Sequence, residues 1–280
     1  MQPSESTGPV VVGIDGSSAA MQAAVWAAEE AISRDVCLRL VHVVDVEDDV
    51  DRDLDENPAE IAGDWPETEL GREALRAASA VVRATGKPVH TETQILWGAV
   101  DETLITESKT AAMLCVGSTG ITPVCHRMVG STAAIVAERA QCPVAIIRTP
   151  HAPAPNEPDW IVVVVDDSPQ SDTVVEHALT EAQLRRAPIL ALGVSHGRQH
   201  SVHYDELERR VATWRSEHPY VHVYPVSVPH DAASFLAQHD ELSVQLTVLG
   251  ARDAETVPTI VGPHRLNRSA PQRCSVLVVR

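Results

Sequence analysis

The segment Met113-Leu-Cys-Val-Gly117-Ser-Thr-Gly120, followed after nine residues by Gly130-Ser131-Thr132-Ala-Ala-Ile-Val, decides the fold of the chain. Its apolar beginning predicts a buried strand, and the stretch from Ser131 predicts a helix. Glycines at a strand end let the backbone approach a ligand closely. At the start of a helix, free N–H groups and the positive end of the helix dipole attract an anion, and hydroxyl side chains there supply further hydrogen-bond donors. The sequence therefore predicts a phosphate site formed by Gly117, Gly120, Gly130, Ser131 and Thr132; a loop whose glycines only make turns is the alternative.

The chain alternates strands with helices and contains this unit twice. Val11-Val-Gly-Ile-Asp-Gly-Ser17 returns as Val162-Val-Val-Val-Asp-Asp-Ser168. The strands are rich in Val and Ile without alternation, as expected of parallel strands covered on both faces, and the order of elements predicts an α/β, doubly wound parallel sheet in each copy. In the first copy we predict strands near residues 9–14, 37–44, 89–96, 112–117 and 143–148 and helices near 17–34, 67–85, 99–109 and 131–140.

Four prolines between Pro150 and Pro158 predict a stiff, extended linker between the copies. We therefore divide the chain into a first domain over 1–149, a linker over 150–158 and a second domain over 159–280.

Three motifs carry a resemblance to a known family: Val-Gly-Ile-Asp-Gly-Ser at 12–17, the glycine motif at 117–131 and Cys-Pro-Val at 142–144. They resemble the universal stress protein family, and two copies in one chain are similar to its tandem members, of mycobacterial or actinobacterial type. The resemblance covers nearly the whole chain. It implies Rossmann-like domains with strand order 3-2-1-4-5, which would place the loops after Asp15 and Gly117 in one crevice, and a stress-response role with bound ATP.

The resemblance also implies roles for three residues near strand ends. Asp15 matches a residue of the family's nucleotide pocket, where it would bind the ribose or Mg2+; helix capping is the alternative, although Ser17 can cap alone. Val41 and His42 align with the segment whose backbone meets the adenine.

Three further residues complete the predicted pocket. Gly13 lies inside the first strand, where glycine often marks a close approach. Gly98 either lines the pocket or makes a turn after the third strand. Arg127 lies within the glycine loop and either reaches the γ-phosphate or is solvated.

The second copy departs from the motif at three positions. Gly13 becomes Val164, Gly120 becomes Asp253 and Ser131 becomes Pro263. A carboxylate repels phosphate, and proline has no N–H to donate. We therefore predict one nucleotide per chain, bound by the first copy.

Composition limits the partners. The net charge of −17 at pH 7 argues against nucleic acid. No apolar run reaches the length of about 20 residues that a membrane helix needs. Five cysteines without a Cys-x-x-Cys pair indicate reduced thiols, so we expect a cytoplasmic protein.

The chain lacks a Gly-x4-Gly-Lys-Ser/Thr loop and a carboxylate evidently placed to activate water. We therefore expect ATP, with Mg2+ as a possible companion, to be bound for regulation with little or slow hydrolysis. A slow ATPase or adenylate-forming enzyme and a scaffold without nucleotide are the alternatives. The apolar final strands of the copies predict either an intramolecular pseudo-dimer or a homodimer.

Overall fold

A computed structural model describes residues 8–45, 66–120, 129–148, 158–194, 204–228, 231–239, 241–262 and 274–280. Strands and helices alternate and form two compact units, one holding the elements up to Ile147 and the other those from Trp160 onward. In these ranges no helix combines the length and apolar character that a membrane crossing requires. Of the predicted linker, only Pro158 lies within the described residues.

The first unit is a parallel sheet with helices between its strands. Its strands are β1 (Val10–Gly13), β2 (Leu38–Val44), β3 (Thr91–Trp97), β4 (Met113–Gly117) and β5 (Val144–Ile147). Its helices are α1 (Ser18–Ser33), α2 (Pro66–Ala84), α3 (Val100–Glu107) and α4 (Ser131–Arg139). The strand order is β3-β2-β1-β4-β5, and each neighbouring pair is parallel.

This order confirms the predicted α/β class and the 3-2-1-4-5 topology. Each predicted element of the first copy ends within two residues of the observed bounds. The order reverses between β1 and β4, and in open α/β sheets ligands bind beyond the carboxyl ends of the strands at such a point. The fold therefore places the ends of β1 and β4 side by side.

Small and β-branched side chains build the core of this unit. The valines of β1 are fully buried, and the buried face of α1 is almost entirely alanine. These short side chains let α1 lie close to the sheet, which is how a chain with 3% aromatic residues fills its core. The expectation that all strands are covered on both faces is wrong for β3, whose Glu92, Thr93 and Gln94 are exposed because β3 is an edge strand.

The second unit repeats the topology. Its strands are β6 (Trp160–Val165), β7 (Ile189–Gly193), β8 (Val223–Ser227), β9 (Val244–Gly250) and β10 (Ser275–Val279), in the parallel order β8-β7-β6-β9-β10. Its helices are α5 (Ser171–Arg185), α6 (Tyr204–Glu217), α7 (Ala232–Gln238), a 3-10 helix (Ala251–Thr256) and α8 (Val257–Val261).

Candidate functional site

The turn after β1 holds Asp15 and the start of α1 in a fixed geometry. Gly16 has a φ of +88°, a left-handed conformation that glycine adopts readily. The amide of Ser17 donates to Asp15 Oδ1 at 2.9 Å, and the amide of Ala20 donates to Ser17 Oγ at 3.1 Å. Ser17 thus caps α1, as predicted, and one oxygen of Asp15 holds the turn in place.

The loop after β4 returns to this turn. Ser17 Oγ donates to the carbonyl of Thr119 at 3.2 Å, and the amide of Gly130 donates to the carbonyl of Ser118 at 2.9 Å. A Cβ on Gly120 would lie 3.2 Å from Asp15 Oδ2. The structure therefore brings Asp15, Gly120 and Gly130 together at the carboxyl ends of β1 and β4.

Helix α4 begins beside these strand ends with an uncapped N-terminus. Gly130 is its N-cap, Ser131 is exposed, and among the described residues no side chain caps the helix. Its first turn carries no acidic residue. The leading amides of α4 have no partner within the helix, and together with the dipole they attract an anion. Thr132, half-buried, lies in the same first turn.

Gly117 has a packing role. A Cβ at this position would lie 2.7 Å from the amide nitrogen of Ala20 and 2.8 Å from the carbonyl carbon of Ala19. Real Cβ atoms essentially never approach backbone so closely, so only glycine lets the end of β4 lie against the start of α1. Its direct neighbour is therefore helix α1, and its place at the end of β4 sets where the following loop starts.

Gly13 also faces protein. A Cβ there would meet Val116 Cγ1 at 3.4 Å and Leu104 Cδ1 at 3.5 Å, which are ordinary contacts. Gly98 differs, because its φ of +131° favours glycine, and its amide donates to the carbonyl of Val44 at 3.1 Å. It makes the turn at the carboxyl end of β3.

His42 and Val41 both contact Ile14, at the end of β1. The carbonyl of Val41, a fully buried residue, accepts from the amide of Ile14 at 2.8 Å, and His42 Nδ1 lies 2.6 Å from the carbonyl of Ile14. The His42 ring packs against Gly71 of α2. Sequence reasoning did not identify this partner, because nothing in the sequence around Gly71 indicates which side chain it must accommodate.

The residues of the predicted site thus divide into two groups. Asp15, Gly120, Gly130, Ser131 and Thr132 gather at the ends of β1 and β4. Gly13, Val41, His42, Gly98 and Gly117 shape the surrounding backbone by packing, turns or hydrogen bonds. Arg127 lies outside the described residues. Ser118 and Thr119, whose carbonyls close the loop, were not predicted, although their place between the first two glycines was a signal.

The corresponding edge of the second unit encloses a cavity of about 300 Å³ and is organised differently. Asp166 Oδ1 accepts from the amide of Ser168 at 3.0 Å, which repeats the turn of Asp15. However, Arg210 of α6 donates to the carbonyl of Asp166 at 3.1 Å, to Ser171 Oγ at 3.2 Å and to Asp172 Oδ1 at 2.9 Å. A protein cation therefore sits at the start of α5.

The segment after β9 also differs from the glycine loop. Asp253 lies in the 3-10 helix and lines the same cavity as Asp166. Gly262 ends α8, and a Cβ there would overlap the carbonyl oxygen of Pro258. Within the described residues this glycine terminates a helix, whereas Gly130 begins one. Pro263 lies outside the described residues.

Comparison with known proteins identifies the family. The family model for the universal stress protein family matches residues 7–148. The chain is 43% identical over 277 residues to Universal stress protein Rv2624c of Mycobacterium tuberculosis (strain ATCC 25618 / H37Rv). This alignment covers 97% of this chain and 96% of that protein.

One solved structure shares the fold over nearly the whole chain. The crystal structure of a universal stress protein from Archaeoglobus fulgidus DSM 4304 has a TM-score of 0.69 and 16% identity, covering 98% of this chain and 96% of that one. A crystal structure of a universal stress protein in complex with cAMP has a TM-score of 0.41 and 25% identity, covering 52% of this chain and 99% of that one. The family match and the full-length relative show that the chain belongs to the universal stress protein family.

Proposed function

We propose that the first unit binds ATP, with Mg2+ as its companion ion, at the ends of β1 and β4. The observation that carries the proposal is the N-terminus of α4, which no side chain of the described residues caps and which Gly130 brings back beside Gly120 and Asp15. Backbone amides at a helix start, with no side chain over them, offer phosphate several donors and a favourable dipole. Ser131 and Thr132 add hydroxyl donors in the same turn.

Asp15 is proposed as the ligand for the ribose hydroxyls or for Mg2+. Its Oδ1 already holds the amide of Ser17, so the carboxylate is oriented before a ligand arrives. Its Oδ2 lies 3.2 Å from where a Cβ on Gly120 would stand, so a side chain at this position would crowd the carboxylate. A carboxylate beside phosphates is favourable when a sugar hydroxyl donates to it or a cation lies between the two charges.

The base and the last phosphate have proposed partners of their own. The adenine would lie at the carboxyl end of β2, beside the backbone of Val41 and His42, and Gly98 would border this part of the pocket. Arg127 is the proposed contact of the γ-phosphate. Because Val41 and His42 both bond to Ile14, the position of this backbone is fixed by the sheet.

The proposed role is regulatory: nucleotide occupancy changes how the first unit associates with a partner. The chain has no P-loop lysine to hold the β- and γ-phosphates, so hydrolysis is expected to be slow or absent. The second unit is proposed to bind no nucleotide, because Asp253 adds a negative charge to the cavity that Asp166 also lines. An intramolecular pairing of the two copies, a homodimer and a cytoplasmic location stay predictions.

Isothermal titration of the nucleotide-stripped protein with ATP and Mg2+ tests the proposal. We expect one site per chain. Asp15→Ala and Asp166→Ala form a matched pair, because each carboxylate holds the amide two residues on, at 2.9 and 3.0 Å. Only Asp15→Ala should weaken binding. Two sites per chain, or equal effects of both variants, contradict the assignment to the first unit; no heat with ATP, AMP or cAMP favours the scaffold alternative.

A further inference from the structure

A second group of chemically active side chains lies at the opposite end of the strands of the first unit, at the amino ends of β2 and β3. Leu38 pairs with Thr91 in the parallel register, so the preceding residues, Cys37 and His90, lie opposite each other. The amide of Leu38 donates to the carbonyl of His90 at 2.9 Å, which fixes this alignment. Side chains two residues apart on a strand share a face, so Glu92 joins His90.

The three side chains converge. Cys37 Sγ, a ring nitrogen of His90 and a carboxylate oxygen of Glu92 all lie within 4.8 Å of one another. His90 Nε2 is 3.6 Å from Glu92 Oε1. Cys37 is half-buried, whereas His90 and Glu92 are exposed, so the cluster is anchored at the sulfur and open to solvent at the other two groups. Separations of this size let small rotamer changes place three donor atoms around one ion.

We propose that Cys37, His90 and Glu92 bind a divalent transition-metal ion, Zn2+, through one sulfur, one nitrogen and one oxygen atom. Zn2+ accepts this mixture of ligands in tetrahedral geometry, and three protein ligands leave the fourth position for water. A thiolate with an imidazole selects against Mg2+ and Ca2+, which prefer oxygen ligands. The site is independent of the proposed nucleotide site, which lies at the other ends of the strands.

The neighbouring charges are compatible with a bound cation. Arg39 Nε lies 3.6 Å from Glu92 Oε2, and Arg39 Nη1 lies 3.6 Å from Glu107 Oε2 of α3. Glu92 can therefore turn one oxygen to a metal while Arg39 keeps a carboxylate partner in Glu107. Burial, followed by the charge of Glu92, raises the pKa of the Cys37 thiol. Metal binding at neutral pH thus releases a proton from sulfur.

The second unit supplies an internal control. The same register pairs Ile189 with Val223, which places Pro188 opposite His222, and Leu190 pairs with Tyr224. His222 occupies the position of His90, but Pro188 and Tyr224 stand where the first unit has Cys37 and Glu92. A single imidazole without the sulfur and oxygen ligands does not make a metal site, so the proposal requires one ion per chain.

The test is a titration of the reduced, tag-free, full-length protein with Co2+, followed by displacement with Zn2+. We expect a thiolate-to-cobalt charge-transfer band and intense tetrahedral d–d bands that saturate at one Co2+ per chain and disappear with one Zn2+. Cys37→Ser should remove the charge-transfer band. Loss of an outer-shell partner alone weakens metal sites by about 10–100-fold, so His90→Ala and Glu92→Gln should each weaken affinity by at least that much.

Two variants serve as matched controls: Cys125→Ser removes another thiol, and His222→Ala removes the equivalent imidazole. Both should leave the band and the affinity unchanged. His90 and Glu92 are exposed, so their variants fold even if Cys37→Ser does not. A band that persists in Cys37→Ser, a band lost in Cys125→Ser, or no band at saturating Co2+ overturns the proposal. ATP titration measures binding at the carboxyl ends of the strands, and Co2+ titration measures binding at their amino ends. Either proposal can therefore fail while the other holds.

Discussion

The imidazole of His42 occupies the space that a side chain at Gly71 would need. A Cβ on Gly71 would overlap the ring, lying 2.9 Å from Nε2 and 3.0 Å from Cγ. The ring cannot easily move away, because Nδ1 is hydrogen-bonded to the carbonyl of Ile14 at 2.6 Å. Gly71 therefore lets α2 lie close to β2, because it leaves room for the ring of His42, which the hydrogen bond to Ile14 keeps in place.

The first prediction concerns this pair. In an exposed helix, Gly→Ala stabilises by about 1 kcal/mol. Here Gly71→Ala should instead lower the free energy of unfolding by about 1–3 kcal/mol, because the methyl group overpacks the contact with His42. Urea denaturation of Gly71→Ala, His42→Ala and the double variant gives the coupling. If the two single effects add in the double variant, the contact is not the cause.

The second prediction compares the glycines that end β4 and β9. Gly117→Ala should destabilise by about 1–3 kcal/mol, because the new Cβ would press on the backbone of Ala19 and Ala20. At Gly250 the nearest atom is Val174 Cγ2 at 3.5 Å, an ordinary contact, so Gly250→Ala should change stability by no more than about 0.5 kcal/mol. Equal destabilisation of the two variants in chemical denaturation would contradict this reading.

The third prediction uses Gly130 to separate binding from stability. Its φ of −59° suits any residue, and a Cβ there would be 3.9 Å from the nearest atoms of the described residues, Gly120 N and Ser118 O. Gly130→Ala should therefore leave the melting temperature nearly unchanged. The methyl group would project where phosphate approaches α4, so ATP affinity should fall at least about tenfold, or about 1.4 kcal/mol. Unchanged affinity by titration calorimetry would place the phosphates elsewhere.

The fourth prediction concerns pH. Burial raises the pKa of Asp159, although Ser243 Oγ donates to its carboxylate at 2.9 Å. A carboxyl whose pKa is higher in the folded than in the unfolded state contributes stability below the unfolded value, and this contribution is lost as pH rises through the folded value. Asp159→Asn should therefore be more stable than the wild type at neutral pH, and the difference should shrink in acid.

Urea denaturation of both proteins between mildly acidic and neutral pH checks this sign. The side-chain amide introduced by Asp159→Asn can still accept the hydrogen bond from Ser243 Oγ, so the comparison isolates the charge. An advantage of Asp159→Asn that grows in acid would show that the carboxylate is stabilised in the folded protein.

The sequence predicted the elements and the doubly wound class because both follow from local patterns: the Val-rich strands, the Ala-rich α1 and the repeat of Val11–Ser17 in the second copy. The strand order was implied by the resemblance to the universal stress protein family. The roles of individual glycines were harder to foresee. Gly117 and Gly130 look equivalent within one motif, yet a Cβ on the first would overlap the backbone of α1, whereas a Cβ on the second would come no closer than 3.9 Å to any described residue. That difference depends on how closely α1 lies to β4, which only tertiary packing decides.

The cluster of Cys37, His90 and Glu92 was missed for a related reason. Its members lie far apart in the chain and meet only because β2 and β3 pair in one particular register. No spacing rule for metal ligands applies to residues brought together in this way. In contrast, Asp15 could be predicted to lie beside the glycine motif, since it follows β1 and the family resemblance implied that β1 and β4 are neighbours.

Arg210 connects helix α6 to the turn between β6 and α5. Its hydrogen bonds to Asp166, Ser171 and Asp172 hold this turn from a helix that lies about forty residues further along the chain. In the first unit the corresponding turn after β1 is held by residues close to it in sequence, through Asp15, Ser17 and the amide of Ala20. The turn of the second unit is therefore tied to where the distant helix α6 lies, whereas the hydrogen bonds that Asp15 and Ser17 accept in the first unit are local.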